Sequence, residues 1–230
     1  MKILGVIPAR GGSKGVPLKN IKLLDGKPLI EYTIMAALQS NLDRVIVSTD
    51  SKEIAEVAKN AGAEVPFLRP DSLASDSASS MPVAIHALNE IEKITGDVFD
   101  ALMLLQPTTP FRTKTDINDA IELLKKNNTD SVISVVDVEG THPARMKYLK
   151  NGLLIDPPFC EQKENQNRQE LEPMYIRNGA IYLTKKDVLL SGTYKGNSCS
   201  ALIMPRNRSV NIDTAFDFEY AELLKVSNKI

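Results

Sequence analysis

The chain has 230 residues, enough to bury one sizeable core, and its 28 basic and 29 acidic residues leave a formal net charge of -1. No global basic field draws in DNA or RNA, so any anionic ligand has to be held by local groups. Two cysteines without a partner at metal-site spacing fit reduced thiols rather than a disulfide framework or a zinc site. The first residues read as a strand rather than a cleavable leader, and no apolar run is long enough to span a bilayer. A cytoplasmic protein that contacts neither membrane nor nucleic acid is therefore expected.

Ile3 to Ile7 has the continuous apolar character of a strand buried on both faces. It runs into Ala9-Arg10-Gly11-Gly12-Ser13-Lys14-Gly15-Val16-Pro17-Leu18-Lys19-Asn20, a glycine-rich loop with spaced cations. Such a loop can wrap backbone N–H groups around phosphate while Arg10, Lys14 and Lys19 neutralise its charge, which points to a nucleoside triphosphate. It is neither a P-loop, since Gly15 is followed by Val16-Pro17 rather than Lys-Ser/Thr, nor a Gly-x-Gly-x-x-Gly dinucleotide loop.

Pro28 then precedes a helical pattern through Ile30, Ile34, Ala37 and Leu38. Val45-Ile46-Val47 is a second strand ending at Ser48-Thr49-Asp50, and Ser51 to Lys59 is a helix closed at Gly62. Val65 to Leu68 reads as a third short strand, Pro82 to Ile94 as a helix, and Ala101 to Leu105 as a nearly all-apolar strand. Asp116 to Lys126 is again helical, and Ser131 to Val136 returns to strand. This alternation predicts an open, mostly parallel α/β sheet with ligands beyond the C-terminal strand ends. Arg10, Asp50, Arg69 and Gln106 each follow a predicted strand and are expected to meet at that edge. After Val138 the pattern becomes irregular, and the polar run Glu161 to Glu172 reads by composition as an exposed loop.

Arg10 to Asn20, Leu68-Arg69-Pro70 with Asp76, Leu105-Gln106-Pro107-Thr108-Thr109-Pro110-Phe111-Arg112, Tyr175 to Tyr182 and Asn211-Ile212-Asp213-Thr214 together resemble the acylneuraminate cytidylyltransferases. These are the CMP-sialic acid synthetases and their relatives acting on legionaminic or pseudaminic acid, and the resemblance spans nearly the whole chain. It implies the fold of the nucleotide-diphospho-sugar transferases, in one domain over residues 1–230. An insertion from about 139 to about 174 would form a homodimer. It also implies transfer of CMP from CTP to the anomeric hydroxyl of a nine-carbon 2-keto acid, N-acetylneuraminate or a legionaminate-type relative, with release of pyrophosphate.

Carried over by residue, Arg10 and Lys19 would clamp the triphosphate above the Gly11-Gly12 backbone. Ala9 through its backbone, Ser13 and Asn20 would face the nucleotide, and Arg69 and Ser79 would frame its base or sugar. Asn20 has a second reading as the brace of its own turn. Gln106 would bind the acid near the reacting end, Arg168 would reach it across the dimer, and Tyr175, Asn178 and Tyr182 would form its wall, with simple packing equally open for Tyr182. Arg112 either meets a carboxylate or pairs with Asp116 at i+4.

Many members of the family hold Mg2+ with an Asp-x-Asp pair, and here Asn211 replaces the first carboxylate. Residues two apart in an extended segment share a face, so Asp213 with Asn211 as a neutral partner is the expected metal site, weaker than a pair of carboxylates. His86 reads as a packed helix residue and His142 as a loop residue. Two other classes stay open from the residues alone: a nucleotidyltransferase acting on another sugar acid, and a catalytically inactive nucleotide-binding regulatory protein.

Overall fold

The computed structural model describes residues 1–12, 15–75, 79–161, 163–227 and 229–230. Along the chain run β1 (Ile3–Pro8), β2 (Leu23–Leu24), β3 (Lys27–Pro28), α1 (Leu29–Leu38), β4 (Arg44–Ser48), α2 (Lys52–Asn60), α3 (Ser80–Thr95) and β5 (Ala101–Leu104). There follow α4 (Lys114–Asn127), β6 (Ser131–Asp137), β7 (Tyr148–Lys150), β8 (Leu153–Ile155), β9 (Tyr175–Lys185), α5 (Lys186–Leu190), β10 (Cys199–Ile203) and α6 (Ala215–Val226). Six strands form one sheet in the order β10-β6-β9-β5-β1-β4. All are parallel except β9, which runs antiparallel to both of its neighbours. The expected open, mostly parallel α/β sheet is what forms.

The apolar runs of the strands follow from burial on two faces. Ile3, Ile7, Met103 and Leu105 join the core beneath α1, α2 and α4, while Leu4, Val6, Leu102 and Leu104 point the other way, into α3 and α5. Each fully buried leucine or isoleucine contributes roughly 1.5–3 kcal/mol relative to exposure. A third cluster bears on the site. Val16 of the glycine-rich loop packs with Phe111, Val210, Ile212 and Phe218 of α6, which binds the loop to the segment before that helix.

Several boundaries differ from the sequence reading. Helix α4 starts at Lys114, because Thr113 and Asp116 form a capping box in which Asp116 is the third helical residue. In place of a strand from Val65 to Leu68 there are isolated bridges at either side of Pro66, Ile46 to Glu64 and Thr49 to Leu68, since Pro66 has no N–H for a ladder. Gly62 does follow α2 at positive φ, with Gly62 N–H donating to Lys59 O and Ala63 N–H to Ala58 O.

Beyond β6 the chain leaves the sheet. Strands β7 and β8 form a hairpin through Asn151 and Gly152, both at positive φ, as a two-residue turn demands. The hairpin holds little of its own surface: Leu149, Leu153 and Leu154 are 73%, 68% and 74% exposed. His142 ties the start of this excursion to its end, accepting the Ala144 N–H at Nδ1 (3.2 Å) with Nε2 2.9 Å from the Glu172 carbonyl. Among the described residues no helix is long and apolar enough to cross a membrane.

Candidate active site

The loop after β1 is fixed from both sides. Ala9 is fully buried and donates its N–H to Ser48 O at 3.0 Å, so that N–H is committed within the protein. Gly11 donates its N–H to Asp50 Oδ1 at 3.0 Å, and a Cβ there would stand 3.1 Å from Ser51 Cβ. That N–H is thus committed as well, whereas Gly12 has open space around it. Asn20 is buried and donates Nδ2–H to Arg10 O at 2.9 Å, which is the bracing role left open above. Ser13, Lys14 and Asp76 lie outside the described residues.

The far end of the loop meets the segment before α6. Gly15 packs so closely on the Asp213 carbonyl that any Cβ would collide with it. Lys19 Nζ donates to Ile212 O at 2.6 Å and lies 3.4 Å from Asp213 Oδ1. Asp213 is held in turn by α6, whose capping residue Asp217 accepts the N–H groups of Asp213 (3.0 Å) and Thr214 (2.8 Å). Desolvation pushes the Asp217 carboxyl up, but these hydrogen bonds, with that of the Thr214 hydroxyl, outweigh it and hold the group below its ordinary value.

These pieces line one cleft of about 450 Å³ at the C-terminal strand ends, where Arg10, Lys19, Asn20, Arg69, Gln106 and Asp213 come together. Arg69 is buried, with Nε 3.2 Å from Ser48 Oγ and further N–H groups directed at the carbonyls of Ser48 and Leu73. Burial lowers its pKa, Asp50 opposing the shift and Arg10 adding to it. Ser79 is the exposed N-cap of α3 and makes no side-chain capping bond; the next residue, Ser80, lines the cleft.

Next to Gln106, β9 is interrupted by Gly179 at φ +79°, beside the register shift between Ile133 and Val135. A Cβ on Gly179 would stand 2.9 Å from Gln106 Oε1 and 3.7 Å from Asn211 Oδ1, so the missing side chain lets both amides converge. Asn211 Nδ2 donates to Asp213 Oδ2 at 2.6 Å, the shared face expected for residues two apart. Among the described residues no three or more His, Cys, Asp or Glu converge on a metal site. One carboxylate and one amide carbonyl still suit Mg2+, which commonly takes one or two carboxylates and completes its shell with phosphate and water.

Three expected contacts resolve differently. Asn178 is buried with its amide consumed: Oδ1 accepts from Ser134 Oγ (2.6 Å) and Ala180 N–H (3.1 Å), and Nδ2 donates to Ser209 Oγ (2.9 Å). It braces the bulge rather than facing a sugar. Tyr182 packs against the core with Tyr194, ring centroids 5.4 Å apart, because β9 turns that position toward α3 and α5. Among the described residues Arg112 pairs with no carboxylate: it donates to Ala180 O (2.9 Å), Thr33 Oγ1 (2.6 Å) and Gln106 O. Asp116 instead caps α4 and receives Arg208.

Tyr175 and Arg168 both stand by Asp137, the first opposite it in the ladder and the second 4.0 Å away, outside the cleft. His86 packs edge-on to Phe67 at 5.3 Å. The bond from Gly11 N–H to Asp50, the space left by Gly179 and the backbone contacts of Arg112 were not foreseen, although a glycine interior to a strand signals a bulge.

A cytidylyltransferase family model matches residues 4–191. The chain is 39% identical to the CMP-N,N'-diacetyllegionaminic acid synthase of Legionella pneumophila, over 100% of this chain and 98% of that one. It is 36% identical to the pseudaminic acid cytidylyltransferase of Campylobacter jejuni, over 97% and 96%. Its 38% identity to the N-acylneuraminate cytidylyltransferase of Escherichia coli covers 96% of this chain but 51% of that longer protein. In fold it is similar to CMP:2-keto-3-deoxy-manno-octonic acid synthetase, solved in complex with CTP, with a TM-score of 0.74 at 16% identity over 99% of this chain and 100% of the other. Sheet order, cleft and sequence likeness agree: the chain belongs to the acylneuraminate, legionaminate and pseudaminate branch of the cytidylyltransferase family.

Proposed function

We propose that the chain transfers CMP from CTP to the anomeric hydroxyl of a nine-carbon 2-keto sugar acid, of legionaminate or N-acylneuraminate type. The hydroxyl oxygen attacks the α-phosphorus, the bond from that phosphorus to the bridging oxygen of pyrophosphate breaks, and the hydroxyl proton is released. The observation that carries the reading is the convergence of Arg10, Lys19, Arg69, Gln106 and Asp213 on one cleft. Charge developing on a polyphosphate leaving group calls for donors already in place, and Arg10 and Lys19 supply them. Asn20 acts by bracing the loop that carries Arg10. Gln106 presents its amide to the acid. Asp213 and Asn211 would hold Mg2+, which when bound neutralises phosphate charge.

The segment from about 139 to about 174 is read as a dimerisation insertion within one domain of residues 1–230. Arg168 and Tyr175 would then serve the partner subunit's acid. What supports this is the apolar surface of the β7–β8 hairpin and the position of both side chains outside their own cleft.

The test is magnesium-dependent pyrophosphate release from CTP with legionaminate, pseudaminate and N-acetylneuraminate. Full-length likeness to a legionaminate enzyme puts that acid first in the panel. Release that requires one of the acids is the expected result. No release with any of them would leave an inactive nucleotide-binding protein, or a nucleotidyltransferase for another acid.

A further inference from the structure

We propose that Arg112 is the positioning residue of the acceptor half of the site, holding Gln106 where its amide meets the incoming acid. The proposal rests on the reading of Gln106 as an acid contact. Arg112 is only 3% exposed, yet among the described residues no carboxylate pairs with it. Burial draws the guanidinium down to about 9, with Asp116 opposing, so the group is still a cation at neutral pH. A buried charge without an ionic partner is unfavourable, and an apolar residue of similar volume would fill the same space without that penalty.

What the charge provides is a rigid planar fork of donors. One N–H reaches Ala180 O on β9 at 2.9 Å, another Thr33 Oγ1 on α1 at 2.6 Å, and a third the carbonyl of Gln106 itself. Gly179 and Arg112 thus act on the same gap. The glycine leaves room for Gln106 Oε1 against β9, and the guanidinium fixes the backbone on both sides of that room. A lysine ammonium, whose donors radiate from one atom, cannot hold three oxygens spread across three elements.

The experiment compares Arg112→Lys, Thr33→Val, Gln106→Ala and the double variant Arg112→Lys/Gln106→Ala. Each is checked for folding by circular dichroism and for CTP binding by calorimetry without acid, and then assayed for kcat/KM toward the acid. The expected result is near-normal CTP affinity with kcat/KM for the acid down about tenfold or more in Arg112→Lys. Thr33→Val, which deletes one acceptor and keeps the volume, should fall less but in the same direction, and it carries the test if Arg112→Lys does not fold. The two lesions in the double variant should be far less than additive, since they disable one contact. Normal acid kinetics in both Arg112→Lys and Thr33→Val, equal losses toward CTP and acid, or additive effects in the double variant would overturn the proposal. Gln106→Ala with normal acid kinetics would remove the Gln106 reading and this one with it. An impaired Gln106→Ala beside a normal, folded Arg112→Lys would remove this one alone.

Discussion

Asp213 has both carboxylate oxygens occupied by donors from its own chain, Asn211 Nδ2 at 2.6 Å and Lys19 Nζ at 3.4 Å. An aspartate at 211 would set two like charges side by side next to Lys19, an arrangement relieved by a divalent ion. Asn211→Asp is therefore expected to lower the magnesium concentration for half-maximal turnover by roughly an order of magnitude. Asp213→Ala should raise that concentration and cut turnover, both read from magnesium titrations at saturating CTP. Unchanged curves for both variants would put the metal elsewhere. Lys19→Ala removes a cation from the loop without opening a core cavity, so the variant should fold normally by circular dichroism. Its single-turnover CMP transfer should drop by about a hundredfold. Gly179→Ala adds a Cβ at positive φ, 2.9 Å from Gln106 Oε1. It should raise KM for the acid more than for CTP, measured in the same steady-state assay.

At the scale of elements, the edge of the sheet at β10 is held by an acid. Asp130 Oδ2 accepts the N–H groups of Asn197 (2.8 Å) and Ser198 (3.1 Å), just before β10 begins. The Asn197 bond, then that of Ser198, holds its carboxyl below the ordinary value of 3.8. A carboxylate lowered on folding contributes stability that is complete above its unfolded value and lost as pH falls through the folded one. The difference in thermal midpoint between wild type and Asp130→Asn should therefore be largest near neutrality and shrink in acid; a gap independent of pH would contradict it.

Strands β1, β4, β5 and β6 were legible because a parallel sheet covered on both faces demands unbroken apolar runs. Strand β10 and helix α6 were not. The first is an edge strand, and the second exposes Phe216, Tyr220 and Leu223 opposite its buried Phe218, Ala221 and Leu224, which blurs its period. In the site, the cations of the loop were legible from charge beside glycine. Two of the bonds of Arg112 go to a backbone carbonyl and a hydroxyl more than sixty residues away, and such partners leave no local pattern. Asn178 was misplaced, and Tyr182 takes the packing reading left open for it, for a related reason: the bulge at Gly179 decides which way the residues of β9 point.

For the whole molecule, a two-stranded hairpin is marginal alone in water, so β7–β8 with its leucines outward calls for cover. If a second copy supplies it and Arg168 serves the neighbouring site, mixing Arg168→Ala subunits with Lys19→Ala subunits should restore about one working site per heterodimer. Subunit exchange verified by mass spectrometry, with no recovery of CMP transfer, would refute the cross-subunit role. The placing of β9 between β5 and β6 has a consequence during translation. Both flanking strands precede it in the chain, and in the finished sheet they stand roughly 10 Å apart with β9 filling the gap, so until β9 is made each has an edge without its partner. Between the synthesis of Asp137 and that of Lys185 two strand edges therefore wait for one strand, the interval in which wrong pairing is easiest.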